Sequence, residues 1–155
     1  MRIERENILT IGRNTIATEA RALATIEAHL DERFAEAVEC IYNCRGRLIV
    51  SGMGKSGHVA RKIAATLTST GTRAIFLHAA EALHGDLGII APEDVVLALS
   101  HSGETEEMIR VADYVVANNN RLIAMTGNES SSLALRANIV LNTRIEDEGT
   151  ILDIV

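Results

Sequence analysis

The residues with the clearest chemical potential lie in one segment, SGMGKSGH, at 51–58. Its glycines keep the turn small, so that backbone N–H groups can approach a ligand closely. The segment follows an apolar run at 48–50 and precedes a helical pattern, whose N-terminal end would attract an anion. Lys55 adds a mobile cation to the same turn. This combination favours a phosphate or another anion as the ligand.

Two nucleotide-binding motifs fit this turn poorly. Gly52, Gly54 and Gly57 have the spacing of a dinucleotide fingerprint, but no convincing acidic residue ends the next candidate strand. The glycine spacing before Lys55 and Ser56 does not match the Walker A pattern. Nucleotide binding is therefore a weak interpretation, and a structural turn with a solvent-facing lysine stays open as the simpler one.

A second turn of related type, SHSGET, spans 100–105. Three of its hydroxyl side chains, together with the N–H groups of the following helix, could bind phosphate oxygens: Ser100, Ser102 and Thr105. Three carboxylates lie in or beside the first turn of that helix, where they favour its dipole: Glu104, Glu106 and Glu107. Glu107 lies one turn past Gly103 and could point back at a ligand, although capping alone would explain one or two of these glutamates.

Two histidines and one carboxylate are further candidates. His84 lies in the glycine-flanked stretch HGDLG, which predicts a loop residue exposed to a pocket and able to move protons near neutral pH. His78 ends a candidate strand, and no ligand spacing makes a metal site strong. Glu148 belongs to an acidic tail after the last strand and becomes a base candidate if that strand points it at the pocket.

Alternating strand and helix patterns place these residues on one framework. The candidate strands are short and rich in β-branched or aliphatic residues: 47–51, 73–77, 94–99, 121–125 and 138–142. Candidate helices lie between them: 56–69, 80–84, 104–118 and 130–136. This alternation predicts right-handed crossovers and a parallel sheet. Ligands of such sheets bind at the carboxyl ends of the strands, where both turns and the TGN segment at 126–128 lie.

A helical pattern also runs from residue 5 to residue 44, as one long helix or two joined helices. Its apolar residues predict one buried stripe: Leu23, Ile26, Leu30, Phe34, Val38 and Ile41. Cys40 and Cys44 share a helix face, and we interpret them as reduced thiols of a cytoplasmic protein. Because a helix this long often packs across a partner subunit, we expect an oligomer.

Size and composition set outer limits. The 155 residues suffice for one domain with one core. Hydrophobic residues make up 47% and aromatic residues only 3%, which is typical of Ala, Val, Ile and Leu in buried parallel strands covered by helices. The formal net charge of -6 argues against a nucleic-acid-binding surface. No apolar stretch is long enough to span a membrane, and no signal peptide is visible.

The order of these motifs resembles that of the sugar isomerase (SIS) domain family. GMGKSGH, the STGT run at 69–72, EALHGDLG, SHSGET and MTGN follow one another over roughly residues 5–148. Within the family, the chain most resembles the arabinose 5-phosphate isomerases. The resemblance implies a three-layer α/β/α sandwich with a five-stranded parallel sheet. It also implies reversible conversion of D-ribulose 5-phosphate to D-arabinose 5-phosphate, the entry step to 3-deoxy-D-manno-octulosonate of lipopolysaccharide and some capsules.

The resemblance also assigns roles to single residues. It implies that these take part in catalysis: Lys55, Glu107 and Glu148, with His84 assisting at the sugar hydroxyls or in ring opening. The base is Glu107 or Glu148, and both assignments stay open. The implied substrate contacts are Gly71, Thr72 and His84, beside the phosphate anchor that we assign to Ser100, Ser102 and Thr105. His78 matches a residue that can bind an inhibitory zinc, and the enediol chemistry itself requires no metal or cofactor.

The chain departs from the family after its last strand. The family continues with a Ser/Thr-rich helix, a His-Pro-Gly-Gly segment whose histidine belongs to the active site, and often a pair of CBS domains. We therefore expect residues 1–155 to form a single SIS domain that lacks the C-terminal helical segment, and to self-associate as a homodimer or homotetramer. A non-catalytic sugar-phosphate sensor, and an isomerase of hexulose or heptulose phosphates, stay open as alternatives.

Overall fold

The computed structural model describes residues 5–145 and contains one five-stranded parallel sheet. Its strands are Leu48–Gly52 (β1), Ala74–His78 (β2), Val95–Leu99 (β3), Arg121–Thr126 (β4) and Ile139–Asn142 (β5), in the order β2-β1-β3-β4-β5. Every predicted strand is confirmed, with ends that differ by at most one residue. β1 and β3, at the centre, are buried at all five positions, as strands covered on both faces must be.

Five helices accompany the sheet in the described residues: Arg5–Ala28 (α1), Glu32–Tyr42 (α2), Gly54–Ser69 (α3), Ala79–Leu83 (α4) and Glu106–Ala117 (α5). The helix predicted from 104 begins two residues later, because Thr105 has an extended backbone and acts as the N-cap. The helix predicted at 130–136 was wrong, since only a 3-10 segment forms, at Ala134–Arg136. Seven residues that begin with three serines cannot offset the cost of helix nucleation.

The helices cover the sheet from both sides, which confirms the three-layer sandwich. Residues of α2 and α3 pack with Leu48 and Val50 on one face. Residues of α4 and α5 pack with Ile49 on the other face. Successive β1 side chains thus enter opposite cores, as the two-residue period of a strand requires. Since small residues such as Ala60 and Ala112 are fully buried, the helices can lie close to the strands.

The N-terminal helical region takes the second of its two predicted forms, but its buried face differs from the prediction. It consists of two helices, because Asp31 caps α2 by accepting a hydrogen bond from the Arg33 backbone N–H. The single buried stripe was wrong: Phe34 and Val38 are 45% and 50% exposed, whereas Ala37 faces the core. Helix α2 carries apolar residues on two faces, and periodicity alone does not tell which face the sheet covers. Cys40 and Cys44 are free thiols that pack against the same core cluster.

The chain divides into two compact units, and residues 30–143 form the unit that contains the sheet. Helix α1 belongs to the other unit and has no buried residue. Ile16 and Leu23 are each 69% exposed on it. Within residues 5–145, no helix combines the length and the apolar character needed to cross a membrane.

Candidate active site

The strand order creates a crevice at the carboxyl edge of the sheet. From β1 the chain crosses through α3 to β2, and it later returns to β3 on the opposite side of β1. The crossovers on the two sides of this point carry α3 and α5 to opposite faces of the sheet. Open α/β sheets bind ligands at such a switch point, outside the carboxyl ends of the strands.

The first turn joins β1 to α3 through close backbone contacts. A Cβ atom on Gly52 would lie 2.9 Å from the Ser56 carbonyl carbon, and one on Gly57 would lie 3.0 Å from the Gly52 oxygen. The N-cap of α3, Met53, makes no side-chain cap hydrogen bond. The first N–H groups of α3 therefore have neither an intrahelical acceptor nor a cap and can serve an anion. Lys55 is exposed in this helical turn, as the sequence predicts.

The second turn, 100–105, uses part of its hydroxyl set internally. Ser100 is only 3% exposed, and its Oγ accepts a hydrogen bond from the Gly103 N–H and lies 3.1 Å from Thr105 Oγ1. Ser102 is exposed and its Oγ accepts a bond from the Glu104 N–H. Thr105, the N-cap of α5, makes no side-chain cap bond. Ser100 thus shapes the turn, whereas the first N–H groups of α5 have no side-chain cap.

A small cleft brings together two of the predicted residues. His84, at the end of α4, and Glu107, in the first turn of α5, line a cavity of about 220 Å³ between these helices. Ala80 and Leu83 supply its apolar wall. His84 is exposed and Glu107 half-buried. An imidazole and a carboxylate in one cleft provide two groups able to accept and donate protons.

Two charged residues of this cleft were missed by the sequence analysis as site residues. Glu106 and Arg110 also line it and form an ion pair, with 2.8 Å between Arg110 Nη2 and Glu106 Oε1. The helical spacing holds the signal that could have found Arg110, because it lies three residues after Glu107 and so on the same side of α5. Arg110 brings a second cation, besides Lys55, to this edge of the sheet.

Gly71 and Thr72 lie at the other edge of the sheet. They precede β2, whereas His84 follows it, and a five-residue strand spans about 16 Å. They line a larger cleft of about 370 Å³ with Tyr42, Cys44 and Arg73. The structure therefore does not bring them together with His84 and Glu107 within this unit, and their contact with substrate stays a prediction. The larger cleft does not contain His84 or Glu107.

His78 and Glu148 complete the predicted set. His78 ends β2 at the carboxyl edge, half-buried, with its ring edge-on to Phe76 at a centroid distance of 6.2 Å. Its Nδ1 is buried and has no hydrogen-bond partner. Among residues 5–145, no three His, Cys, Asp or Glu side chains are grouped to hold a metal ion. Glu148 lies outside the described residues.

A third turn, after β4, is hydrogen-bonded to the second turn. Thr126 Oγ1 and the Gly127 N–H both donate to the His101 carbonyl, at 3.1 and 2.9 Å. Further along, Glu104 Oε1 accepts a hydrogen bond of 2.8 Å from the Ser132 N–H. This bond is the main cause of a lowered pKa of the Glu104 carboxyl. The turns after β1, β3 and β4 thus all lie at the carboxyl edge, as the sequence predicts.

The comparison with known families agrees with this arrangement. Residues 41–154 match the model of the SIS domain. The chain belongs to the SIS domain family. This SIS chain is 45% identical over 142 residues to arabinose 5-phosphate isomerase KpsF of Escherichia coli O6:H1, covering 91% of the chain and 43% of KpsF. It is 44% identical over 144 residues to arabinose 5-phosphate isomerase GutQ of Escherichia coli K12, covering 93% of the chain and 45% of GutQ.

A solved structure gives the same family at the level of the fold. An Escherichia coli CFT073 protein in complex with arabinose 5-phosphate superposes with a TM-score of 0.93 and 33% identity, over 99% of this SIS chain and 81% of that protein. The chain spans less than half the length of the two curated relatives. The comparisons therefore assign the fold of the SIS domain, and the activity is argued separately below.

Proposed function

We propose that this SIS domain is a sugar-phosphate aldose–ketose isomerase that interconverts D-ribulose 5-phosphate and D-arabinose 5-phosphate. One observation carries the proposal: α3 and α5 both begin at the carboxyl edge without a side-chain cap, and the first turn of α5 lines a cleft that contains His84 and Glu107. An anion site adjoining an acid–base pair is what this reaction needs. The names of KpsF and GutQ, and the arabinose 5-phosphate complex of a relative, support the choice of substrate.

The phosphate of the substrate would be anchored between the two turns. The N–H groups that begin α3 and α5 have no side-chain cap and can bind an anion, and Ser102, Thr105 and Lys55 would add hydroxyls and a cation. Holding the phosphate lets remote binding position the reacting carbons. The buried Ser100 acts by fixing the turn rather than by free contact.

The reaction moves one proton between adjacent carbons. A base removes a proton from C1 of ribulose 5-phosphate, and the electron pair of that C–H bond forms the C1–C2 double bond. The C2 carbonyl electron pair moves to O2, which takes up a proton and gives the enediol. A proton returned to C2 and loss of the O1 proton leave the C1 aldehyde of arabinose 5-phosphate. Catalysis requires the base and stabilisation of negative charge on the developing enediolate.

We assign these tasks to residues of the carboxyl edge. Glu107 serves as the base, with Glu148 as the competing assignment. Lys55 stabilises the enediolate oxygen or donates a proton, and His84 assists at the sugar hydroxyls or in ring opening. Arg110 adds positive charge at the cleft. These tasks need no metal or redox cofactor.

Incubation of the purified protein with D-ribulose 5-phosphate, followed by NMR of the sugar pool, tests the proposal. We expect D-arabinose 5-phosphate to appear, and to be lost in a Lys55→Ala variant that still folds. Saturable binding without turnover would contradict the isomerase and identify a non-catalytic sugar-phosphate module. Turnover of a hexulose or heptulose phosphate instead would change the substrate within the same class.

We also propose that the protein self-associates as a homodimer or homotetramer through the outer face of α2. Phe34 and Val38 are half exposed there, and Tyr42 is 87% exposed in the last turn. Sedimentation equilibrium should give a multiple of 16.7 kDa. A Phe34→Ser/Val38→Ser variant should shift toward the monomer, whereas the exposed Glu36→Ala on the same helix should not. A monomeric parent protein would contradict this part.

The proposal extends to organisation and pathway. Residues 1–155 act as a single SIS domain, and the arabinose 5-phosphate that they form enters synthesis of 3-deoxy-D-manno-octulosonate for lipopolysaccharide or capsule. Supplying purified arabinose 5-phosphate to cells that lack the activity should restore that sugar. If the supplied arabinose 5-phosphate did not restore the sugar, the pathway assignment would be contradicted, and the proposed reaction would be unaffected.

A further inference from the structure

The loop after β4 is joined to the turn at 100–105 by the side chain of Glu104, which has no role in the proposed chemistry. Glu104 does not line the His84–Glu107 cleft, and its carboxylate accepts the Ser132 N–H at 2.8 Å. The two residues are 28 positions apart. Glu104 is exposed, so no need to bury charge explains the contact.

The contact is part of a wider junction between the two loops. The Leu133 N–H donates to the Gly103 carbonyl at 3.0 Å. Gly103 has φ of +69°, and a Cβ on it would collide with Ser131 Oγ. The loop at 131–133 therefore packs directly on the backbone of the turn. Ser131 is fully buried, so tight packing holds the junction in place. A displacement of the 131–133 loop would therefore shift the turn at 100–105.

We propose that Glu104 is a positioning residue for the phosphate anchor. Its hydrogen bond to Ser132 fixes the 100–105 turn, so that Ser102, Thr105 and the first N–H groups of α5 hold the geometry that binds phosphate. The inference deepens the proposed function, because it names what keeps the anchor of that site in place.

The chemistry of the contact suits this role. Ser132 lies in the turn that leads into the 3-10 segment Ala134–Arg136, and Ser131 Oγ in the same turn accepts from the Ala134 N–H. A carboxylate that accepts from a backbone N–H makes a charge-assisted bond, stronger than one between neutral groups. Arg136, in the same segment, is the charged group that also favours the ionised carboxylate. Arg136 in turn is paired with Asp113 of α5 at 2.6 Å, so both loops are tied to one helix.

Four proteins compared by calorimetry test the proposal: the parent, Glu104→Ala, Glu104→Gln and Glu93→Ala. The probes are inorganic phosphate and D-arabinose 5-phosphate. Losing one hydrogen bond that holds the anchor should raise both Kd values roughly five- to tenfold in Glu104→Ala. Glu104→Gln keeps an acceptor oxygen and should bind within about twofold of the parent. Glu93→Ala removes an exposed carboxylate at the opposite edge and controls for net charge.

Kinetics separate positioning from a merely structural role. We expect KM of Glu104→Ala to rise with the Kd while kcat at saturation stays within about twofold, since the proton-transfer groups are untouched. Exchange of the Ser132 amide proton should accelerate in Glu104→Ala and not in Glu104→Gln. If the alanine variant does not fold, Glu104→Asp, which shortens the side chain by one methylene, takes its place.

Three results would overturn the inference: unchanged phosphate affinity in Glu104→Ala, equal loss in Glu104→Gln, or a fall in kcat with KM unchanged. Failure of the isomerase proposal looks different. In that case the parent binds both probes without turnover, and the affinities together with Ser132 exchange still decide the role of Glu104. A parent protein that binds neither probe would overturn both.

Discussion

The two edges of the sheet are built on opposite principles. At the amino edge, Asp94 is 3% exposed and accepts hydrogen bonds from the backbone N–H groups of Arg47 and Ala91. Asn120 donates to the Ala91 and Asp94 carbonyls, so the loops before β3 and β4 are tied together. At the carboxyl edge, α3, α4 and α5 begin without side-chain caps. At the amino edge most of the buried polar atoms are paired internally, and Asn120 Oδ1 is the exception in this network. The carboxyl edge leaves N–H donors of its helices for a ligand.

The comparison teaches that a structural polar network and a binding site differ in the partners of their hydrogen-bond donors. In the network the donors have acceptors within the protein, and in the binding site they do not. Buried polar groups are costly without partners, so a network such as that of Asp94 stabilises the fold. Cleft volume alone would have favoured the amino edge as the binding site. The cleft there has about 370 Å³, whereas the cleft at the carboxyl edge has about 220 Å³. Substitutions at each edge test this division.

Glu107→Gln should abolish most of the activity without unfolding the protein. Loss of a general base lowers kcat by roughly 10²- to 10⁴-fold, and no described hydrogen bond of Glu107 holds the fold. Steady-state kinetics and a melting curve measure the two effects. The matching Glu148→Gln variant tests the competing base, and unchanged turnover in both variants would contradict the acid–base assignment.

Asp94→Ala should have the reverse effect, a loss of stability with little change in catalysis. It leaves two backbone donors and Arg47 without their acceptor, so the free energy of unfolding should fall by about 3 kcal/mol in urea titrations. Asp113→Ala breaks the more exposed pair with Arg136 and should cost no more than about 1 kcal/mol. A large fall in kcat/KM of folded Asp94→Ala would mean that the amino edge takes part in the reaction.

Two glycine substitutions, one at each edge, should lower the stability by similar amounts but differ in their effect on ligand binding. An added Cβ would collide with Asp94 Oδ1 at Gly46, and with Ser131 Oγ at Gly103. Both Gly46→Ala and Gly103→Ala should lower the free energy of unfolding by about 2 kcal/mol. Only Gly103→Ala should also weaken sugar-phosphate binding, measured by calorimetry. Equal losses of affinity in the two variants would remove the distinction between the edges.

Acid should weaken the carboxyl edge through Glu104. The hydrogen bond from Ser132 lowers the pKa of this carboxyl, with Arg136 contributing. Its stabilising effect is therefore complete above the unfolded pKa and is lost as pH falls through the lower folded pKa. Between about pH 6 and pH 3, Tm of the parent should fall slightly more than Tm of Glu104→Gln. Parallel curves would show that this carboxylate does not contribute.

Thr72→Ala should have the smallest effect on catalysis. Thr72 lines the cleft at the amino edge, so KM for ribulose 5-phosphate should stay within about twofold of the parent. Thr70→Ala, in the same cleft, is the matched control. A selective rise of KM in Thr72→Ala would restore Gly71 and Thr72 as substrate contacts and would require that both edges meet one substrate.

Much of this architecture was predictable because its signals are local. Apolar runs gave the strands to within one residue, and Asn119, at φ of 58°, ends its helix in the left-handed conformation expected of asparagine. The rule that ligands bind at carboxyl ends placed the two turns and the 126–128 segment at one edge before any geometry was known. Helical spacing carried the information for Arg110 as well.

The rest depends on contacts between distant segments. Ser100 gives no sign in the sequence that its hydroxyl is buried, and nothing near Glu104 indicates a partner at Ser132, 28 residues away. The core face of α2 was mispredicted because Phe34 and Ala37 are both apolar and lie on different faces of the helix. The position of Gly71 and Thr72 came from resemblance, and only the topology shows that β2 separates them from His84.

Shift mapping by NMR tests the division of the two edges most directly. D-arabinose 5-phosphate is titrated into ¹⁵N-labelled protein while backbone amide signals are followed. The account predicts the largest shifts at 53–57 and 101–107, with little change at 44–48 and 70–73. Dominant shifts at 44–48 and 70–73 would contradict it and move the binding site to the amino edge of the sheet.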